Sequence, residues 1–375
     1  MIIQRSIQKN LEASLFKGKV VILYGARQVG KTTLVKELIR KYEGDAIYLN
    51  CDEPDVRNAL TDKTSTELKS FIGFHKLVVI DEAQRVKNIG LTLKLMIDNF
   101  PATQIVATGS SSFELSGKIA EPLTGRKVEF FLYPFSVGEL AQIHSPLEIN
   151  RLLEERLIFG MYPGIIFAGP DKEKRVRELA TSYSYKDILT YQDIRNPELL
   201  EKLLQALALQ IGSEVSYNEL AQLLGVNKVT IESYTRILEQ AYIIFRVGPF
   251  SRNIRNELKK KRKIYFYDLG LRNALINNLN PVFLRQDIGS LWENFMVVER
   301  LKRNNNLSLV ANIYFWRTTD GKEIDYLEDV GGKLSGYEFK WRKDNFSAPK
   351  EFLKAYPGSN VEIINNNNYL DWLVK

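Results

Sequence analysis

The sequence predicts an α/β protein that contains more than one domain. In the first 135 residues, short apolar segments alternate with helix-like stretches, and a second mixture of helices and strands fills the last ninety or so residues. Strands that alternate with helices indicate a parallel sheet with both faces covered. A chain of 375 residues also exceeds the usual length of one compact domain. We therefore expect a parallel-sheet domain, a helical middle region and a second α/β domain.

The amino-acid composition limits the classes of protein to which the chain can belong. Hydrophobic residues make up 45% and charged residues 26%, which is ordinary for a globular protein, and the formal net charge of +7 is compatible with a nucleic-acid partner. The single cysteine, Cys51, excludes an internal disulfide, and two histidines argue against a histidine-based zinc or triad site. There is neither an apolar run of about 18 residues nor a signal-peptide core. We expect no membrane association and a cytoplasmic location.

The elements of the first domain, assigned to residues 1–135, follow from apolar runs and their spacing. Buried strands are predicted at 19–24, 46–50, 76–80 and 103–108. Helices are predicted at Thr33–Tyr42, near 54–72 and near 88–100. The order strand, helix, strand, helix is the pattern of a parallel sheet.

A glycine-rich loop lies between the first predicted strand and the first helix. It matches the nucleotide-binding pattern G-x-x-x-x-G-K-[ST] in full, and the predicted binding residues are Gly25, Ala26, Arg27, Gln28, Val29, Gly30, Lys31, Thr32 and Thr33. Glycines let backbone N–H groups converge on phosphate oxygens, and the helix N-terminus adds positive charge. Lys31 can reach the β- and γ-phosphates, and the Thr32 hydroxyl can bind Mg²⁺.

The strand at 76–80 ends in two carboxylates, Asp81 and Glu82, which fit a Walker B element. Asp81 is predicted to hold Mg²⁺, and Glu82 is predicted to polarise the attacking water. The sequence therefore predicts ATP and Mg²⁺ as cofactors, with hydrolysis rather than binding alone.

Several polar residues near this site have two open interpretations. The hydroxyls of Thr108, Ser110 and Ser111 either sense the γ-phosphate or simply end a strand. Arg126 is either an arginine finger acting on a neighbouring subunit or a solvated surface residue. Arg27 contacts either the nucleotide or solvent.

Residues 136–208 have the periodicity of amphipathic helices, notably at 147–160 and 172–191, and predict a helical lid and linker.

Residues 209–270 predict a winged helix-turn-helix. Ser216 and Glu219 have capping-box spacing, Gly225 makes the turn, and Asn227 can cap the second helix. Segments 242–247 and 263–267 are the predicted wing strands.

The winged helix carries residues suited to DNA. Lys228, Thr230, Ser233 and Arg236 are polar positions of its second helix. The basic run 252–263 holds seven cations, which are Arg252, Arg255, Lys259, Lys260, Lys261, Arg262 and Lys263. Such a run can neutralise phosphates without reading sequence. Winged helices also serve as packing or protein-contact modules, and this alternative stays open.

The last region, 285–375, predicts the order helix, three strands, helix, strand: 290–303, 312–316, 323–327, 334–340, 346–355 and 360–364. Asp325 lies on the second strand, and Glu338 and Lys340 share one face of the third, with Phe339 in the core. Asp325 and Glu338 can bind one divalent cation while Lys340 sits beside the attacking water or the scissile phosphate, which is the chemistry of metal-assisted phosphodiester cleavage. Glu293 either adds a carboxylate or closes a capping box with Ser290.

With these residues in view, the chain resembles the AAA-like ATPases of archaea and bacteria that carry a C-terminal domain of unknown function related to PD-(D/E)XK nucleases. The resemblance covers nearly the whole chain and rests on the segments 25–33, 80–84, 108–111, 123–126, 132–136, 266–271, 323–325 and 338–340. It implies a P-loop NTPase core, ATP binding and hydrolysis, a winged helix, and a restriction-endonuclease-like α/β domain at the C-terminus.

The favoured hypothesis is a DNA-associated ATPase whose helical lid transmits the nucleotide state to the winged helix and the nuclease-like domain. One alternative is an active, ATP-regulated, metal-dependent DNA nuclease. Another is a protein-remodelling or signalling ATPase whose tail only binds a partner protein. A homo-oligomer is compatible with each of them.

Overall fold

The computed structural model describes residues 3–110, 119, 121–182, 196–250, 262–318, 320–343 and 345–374. The chain forms two compact units. The first comprises Ile2–Pro134 with Gln240–Tyr242, and the second comprises Phe135–Glu239 with Ile243–Lys375. The three modules predicted after residue 135 thus lie within one compact unit.

The first unit is built on a five-stranded parallel sheet. Its strands are β1 (Val20–Tyr24), β2 (Ala46–Asn50), β3 (Leu77–Asp81), β4 (Gln104–Gly109) and β5 (Lys127–Phe131), in the spatial order β2-β3-β4-β1-β5. The central strands are buried along their whole length, which explains their continuous apolar runs. The predicted parallel sheet is confirmed. The edge strand β5 was not predicted, because its charged, half-exposed residues hide the apolar pattern.

Helices connect these strands: α1 (Gln8–Ala13), α2 (Lys31–Arg40), α3 (Pro54–Leu60), α4 (Ser65–Ile72) and α5 (Ile89–Asn99). The helical stretch predicted near 54–72 is two helices, because Thr61 is extended and Thr64 starts α4. Thr64 and Glu67 form a reciprocal capping box, which satisfies two donors at the new N-terminus.

The second unit contains most of the helices. They are α6 (Val137–Leu140), α7 (Pro146–Phe159), α8 (Pro163–Ile166), α9 (Lys172–Ser182), α10 (Pro197–Leu209), α11 (Tyr217–Leu224), α12 (Lys228–Gln240), α13 (Leu269–Leu275), α14 (Ile288–Asn306), α15 (Lys350–Ala355) and α16 (Tyr369–Val374). The helix predicted at 172–191 begins as expected, but residues 183–195 lie outside the described part. Across the described ranges, no helix has both the length and the apolar character needed to cross a bilayer.

The same unit contains a seven-stranded mixed sheet. Its strands are β6 (Glu214–Val215), β7 (Ile244–Pro249), β8 (Arg262–Phe266), β9 (Asn312–Arg317), β10 (Glu323–Val330), β11 (Lys333–Phe339) and β12 (Asn360–Ile364). The spatial order is β12-β11-β10-β9-β7-β8-β6. The predicted wing strands β7 and β8 pair antiparallel, and β7 also pairs in parallel with β9. The wing and the C-terminal strands therefore share one sheet, although the sequence predicts them in separate modules.

A close approach near Asp268 fixes α13 against α7. Asp268 is buried at the N-cap of α13, where it accepts hydrogen bonds from the backbone N–H groups of Leu271 (3.0 Å) and Met161 (2.6 Å). At Gly270, a Cβ atom would lie 2.0 Å from the carbonyl oxygen of Phe159. Only glycine lets the two backbones come this close.

We expect Gly270→Ala to lower the free energy of unfolding by about 1–3 kcal/mol, because the new methyl group meets backbone that cannot rotate away. The matched control is Gly289→Ala in α14, where a Cβ would meet nothing within 4 Å. That control should change stability by less than about 1 kcal/mol. Urea denaturation of both variants measures the difference, and equal midpoints would contradict the close approach.

Candidate functional site: a phosphate-binding loop and a buried carboxylate cluster

The glycine-rich loop runs from the end of β1 to the start of α2. A Cβ at Gly25 would lie 2.2 Å from the carbonyl oxygen of Leu132, so only glycine fits there. Gly30 caps α2 with a φ of 100°, a left-handed conformation that favours glycine. Gln28 also has a positive φ, 60°, within the same loop. The loop thus presents backbone N–H groups and the N-terminus of a ten-residue helix at one place.

Lys31 is the first residue of α2, and its side chain folds back into the loop. Its Nζ donates hydrogen bonds to the carbonyl oxygens of Gly25 (2.8 Å) and Ala26 (2.9 Å). Lys31 is only 5% exposed, so burial holds the charge close to the loop backbone. The side chain is positioned to exchange these carbonyls for a phosphate oxygen.

Asp81, at the carboxyl end of β3, accepts hydrogen bonds from three hydroxyl groups. Thr32 Oγ1 donates to Oδ2 at 2.8 Å, Tyr48 OH donates to the same oxygen, and Thr108 Oγ1 donates to Oδ1. Burial and the hydrogen bond to Asp81 raise the pKa of the Tyr48 hydroxyl, which keeps it protonated as a donor. The structure therefore brings Thr32 and Asp81, the two residues predicted to bind Mg²⁺, into direct contact.

Glu82 follows Asp81 in a left-handed conformation, with a φ of 54°. Its Oε2 accepts hydrogen bonds from Gln84 Nε2 (2.5 Å) and Ser110 Oγ (3.3 Å). Its backbone N–H donates to Thr108 Oγ1 at 3.1 Å. Non-glycine residues in this conformation cost energy and are concentrated at functional sites. Thr108 and Ser110 thus contact the two carboxylates, while Ser111 lies outside the described residues.

Two arginines bear on this site. Arg126, the predicted arginine finger, is exposed and forms an ion pair with Asp98 of its own unit at 2.8 Å, so a role across subunits stays a prediction. Arg5 was not predicted. Its guanidinium group donates to the carbonyl oxygens of Val29 (2.7 Å) and Tyr133 (2.6 Å) and so ties the loop to the segment after β5. These partners lie far away in the sequence, and no local pattern reveals them. Tyr48 was missed for the same reason, since Asp81 lies far from it in the sequence. Gln84 lies only two residues from Glu82 and within the segment 80–84 of the resemblance, but no role was predicted for it.

The second set of predicted site residues lies on β10 and β11. The register that pairs Tyr326 with Tyr337 places Asp325 opposite Glu338. Asp325 Oδ2 accepts a hydrogen bond from the backbone N–H of Phe339 at 2.9 Å. Lys340 Nζ lies 2.6 Å from Glu338 Oε1, so the two side chains share a face as the alternation predicts.

An unexpected lysine also enters this cluster. Lys263 on β8 is 2% exposed, and its Nζ forms ion pairs with Glu293 (2.8 Å), Glu323 and Asp325 (3.7 Å). The assignment of Lys263 to the exposed, phosphate-binding run is therefore wrong. Its side chain faces inward because alternate residues of a strand point to opposite faces of the sheet.

Burial shifts the acidities in the cluster. It raises the pKa of Glu293 to about 7, a rise that Lys263 opposes and Asp325 reinforces. Burial likewise raises the pKa values of Asp325 and Glu338. Burial of Lys263 disfavours its charged form. The neighbouring carboxylates of Glu293, Asp325 and Glu323 favour that form more strongly and raise the pKa of Lys263, so the side chain stays an ammonium group.

The capping-box alternative for Glu293 is wrong. Helix α14 begins at Ile288 with Asp287 as its N-cap, so Ser290 lies inside the helix. Glu293 Oε1 instead accepts hydrogen bonds from Lys263 and from Tyr265 OH at 2.7 Å. The helix starts one turn earlier than its polar residues suggest.

The fit of a metal ion to this cluster is limited. Over the ranges that the structure describes, no three acidic, histidine or cysteine residues are arranged to hold a metal ion. Asp325 and Glu338 supply two carboxylates, and Glu338 Oε2 is buried without a hydrogen-bond partner. Carboxylate oxygens are the ligands that Mg²⁺ and Mn²⁺ prefer, and a buried acceptor without a donor is costly. The pair therefore supplies two of the oxygen ligands that one divalent ion would need.

The predicted DNA-binding helix is α12. Asn227 Oδ1 accepts a hydrogen bond from the Thr230 N–H at 2.8 Å, as its predicted capping role requires. Lys228, Ser233 and Arg236 are exposed, and Lys228 lies 3.3 Å from Glu232. Of the basic run, residues 252–261 lie outside the described part of the chain.

Comparisons with known families divide the chain into three. A family described as an AAA domain matches residues 17–141. Two domains of unknown function, DUF8612 and DUF4143, match residues 150–281 and 288–370. The first match covers the glycine-rich loop, Asp81 and Glu82. Together with the loop geometry, it supports a nucleotide-binding P-loop ATPase.

Similar proteins extend over most of the chain. Uncharacterized proteins of Mycobacterium bovis and Mycobacterium tuberculosis are each 28% identical over 346 residues, which is 91% of this chain and 74% of the relative. An uncharacterized protein of Methanocaldococcus jannaschii is 25% identical over 346 residues, or 86% of this chain and 74% of the relative. The names of these relatives state no activity.

Solved structures give only distant matches. Pif1 helicase from Candida albicans is 16% identical and covers 48% of each chain, with a TM-score of 0.24. A Drosophila ORC structure bound to GC-rich DNA and Cdc6 is 11% identical and covers 72% of this chain and 90% of that one, with a TM-score of 0.25. Similarity at this level is too low to define a shared fold.

Proposed function

We propose that the first unit binds ATP with Mg²⁺ and hydrolyses it. The observation that carries the proposal is the contact between Thr32 and Asp81, which joins the start of α2 to the end of β3 beside a glycine-rich loop. Two neighbouring residues in this arrangement, Lys31 and Glu82, have the chemistry that phosphoryl transfer to water requires.

Binding begins with the phosphates. The loop N–H groups and the N-terminus of α2 attract the negative charge, and Lys31 gives up its two carbonyl partners for phosphate oxygens. Arg5 holds the carbonyl of Val29 and so keeps the loop in shape before the nucleotide arrives. A preformed loop lowers the entropy cost of binding.

Magnesium fits the carboxylate–hydroxyl pair of Asp81 and Thr32. An ion held by these two residues would neutralise charge on the transferring phosphoryl group. Tyr48 and Thr108 hold the Asp81 carboxylate from two sides, which leaves it little freedom to rotate. These two residues act as positioning residues.

Glu82 is the general base of this proposal. Its carboxylate orients a water molecule toward the terminal phosphate and accepts the proton. In the present arrangement Gln84 and Ser110 hold its Oε2, so hydrolysis requires the carboxylate to exchange these partners for water.

Steady-state ATPase assays on three variants test this function. Lys31→Ala should lower kcat/KM by about 100-fold or more, because it removes the ammonium group that pairs with the phosphate oxygens. Glu82→Gln should lower kcat by about 100-fold or more while ATP binding changes little, because the amide cannot accept the proton. Lys9→Ala, an exposed lysine of the same unit, is the control and should keep wild-type turnover. Equal turnover in all four proteins would contradict the proposal.

We further propose that the chain is organised as an ATPase core (1–135), a helical lid (136–208), a winged helix (209–270) and a nuclease-like domain (285–375), and that it associates with DNA. What supports DNA association is the exposed face of α12, with Lys228 and Arg236, and the basic run that follows β7 in the sequence. Its charges suit phosphate contacts, which are independent of base sequence.

Removing both cations of α12, Lys228→Ala with Arg236→Ala, should weaken DNA binding and reduce the salt slope of log K by about 1–2. Lys174→Ala on α9 is the matched control, since it removes an exposed cation elsewhere in the same unit. Fluorescence anisotropy with duplex DNA between about 50 and 200 mM salt gives the slopes. Absence of wild-type binding at low salt would reject DNA association and favour the alternative in which the tail binds a partner protein.

A second candidate function is metal-dependent cleavage of DNA at Asp325, Glu338 and Lys340. The buried oxygen of Glu338 without a hydrogen-bond donor favours it, because a hard cation would satisfy that oxygen. Lys340 lies beside the pair and would stabilise negative charge on the phosphate.

If this candidate is right, wild-type protein nicks DNA with Mn²⁺ or Mg²⁺, and Asp325→Asn and Lys340→Met each lower the rate by about 100-fold or more. Glu351→Gln, which removes an exposed carboxylate of the same unit, should cleave at the wild-type rate. Complete lack of cleavage by the wild type with either metal rejects the candidate and leaves the ATPase proposal unaffected.

A further inference from the structure

The ammonium group of Lys263 occupies a position that is built for a cation. Three carboxylates surround it, those of Glu293, Glu323 and Asp325. On another side, the ring of Phe315 lies with its centroid 5.5 Å from Nζ, within the range of a cation–π contact. A lysine that is 2% exposed keeps its charge only where neighbouring groups offset the loss of water.

The carboxyl groups of the cluster outnumber its cationic side chains. Glu293, Glu323, Asp325 and Glu338 face the ammonium groups of Lys263 and Lys340 and the guanidinium group of Arg317, which lies 3.8 Å from Glu323. Asp325 lies between the two halves, because its Oδ1 faces Lys263 while its register partner is Glu338. Glu338 Oε2, buried and without a donor, is the acceptor that this arrangement leaves unsatisfied.

A divalent ion bound by Asp325 and Glu338 would therefore lie close to the Lys263 ammonium group. Two cations that share one carboxylate repel each other, and burial weakens the screening of that repulsion. The metal can bind tightly only where Lys263 withdraws or loses its charge. The three partners and the buried position of Lys263 oppose such a withdrawal.

We propose that Lys263 is the internal cation of the C-terminal carboxylate cluster, and that it sets the affinity of Asp325 and Glu338 for divalent metal ions by competing with them. The proposal deepens the nuclease candidate, since it concerns the same carboxylates. This proposal is tested by measuring metal binding, whereas the nuclease candidate is tested by DNA cleavage. Either one can therefore fail while the other holds.

The test is isothermal titration of the full-length, nucleotide-free protein with MnCl₂. Lys263→Met keeps the length of the side chain and removes its charge. We expect its Kd for Mn²⁺ to be about tenfold or more below that of the wild type, because the competing cation is gone. Adding Asp325→Asn to Lys263→Met should abolish this gain, which assigns the bound ion to this cluster.

Lys322→Met is the matched control for charge removal. Lys322 precedes Glu323 directly, but its side chain is exposed and pairs with Glu351. This variant should bind Mn²⁺ as the wild type does. Equal Kd values for wild type and Lys263→Met, a gain that persists with Asp325→Asn, or an equal gain in Lys322→Met would each overturn the proposal.

Lys263→Met leaves buried carboxylates without a cationic partner, and the variant can misfold for this reason. The double variant Lys263→Met/Glu293→Gln removes one charge of each sign and so leaves one fewer carboxylate without its cation. It should bind Mn²⁺ about tenfold or more tightly than Glu293→Gln alone. Equal binding by these two proteins overturns the proposal, whatever the folding of the single variant.

Discussion

The hydrogen-bonded carboxylate of Asp81 is the interaction on which the proposed nucleotide site depends. Withdrawing a carboxylate from water costs several kcal/mol, whereas each hydrogen bond to a charged group contributes about 1.5–3 kcal/mol. The three hydroxyl donors, from Thr32, Tyr48 and Thr108, are therefore sufficient to hold it buried. They come from α2, β2 and β4, so the same contacts hold one helix and two strands against the end of β3, beside the phosphate-binding loop.

The buried carboxylates of the cluster in the second unit are stabilised by other partners than the carboxylate of Asp81. Ammonium groups offset its acids, with one hydroxyl donor, Tyr265, on Glu293, and Lys263 alone contacts three of the acids. This arrangement joins β8 to α14 and β10, because the lysine and its partners belong to these three elements. Electrostatic neutralisation thus links β8 to the C-terminal part of the sheet, whose pairing is completed through β7 and β9.

The sequence was most informative where function depends on neighbouring residues. The glycine-rich loop, Lys31, Thr32, Asp81 and Glu82 could be identified because their spacing along the chain is itself the motif. Arg5, Tyr48 and Lys263 could not, since each acts on residues more than twenty positions away and no local pattern marks its role. The edge strand β5 escaped because its charged residues break the apolar pattern. The segment around Asp268 and Gly270, part of the family resemblance, has a structural explanation in the cap of α13 and the close approach to Phe159.

The central claim is that a nucleoside triphosphate and Mg²⁺ bind together, through the loop and the Thr32–Asp81 pair. Its most direct test is calorimetric titration of the wild-type protein with ATP, once with Mg²⁺ and once with EDTA. The account predicts binding with one ATP per chain and a Kd that is about tenfold or more lower with Mg²⁺. No detectable ATP binding with Mg²⁺, or the same Kd in EDTA, would contradict it.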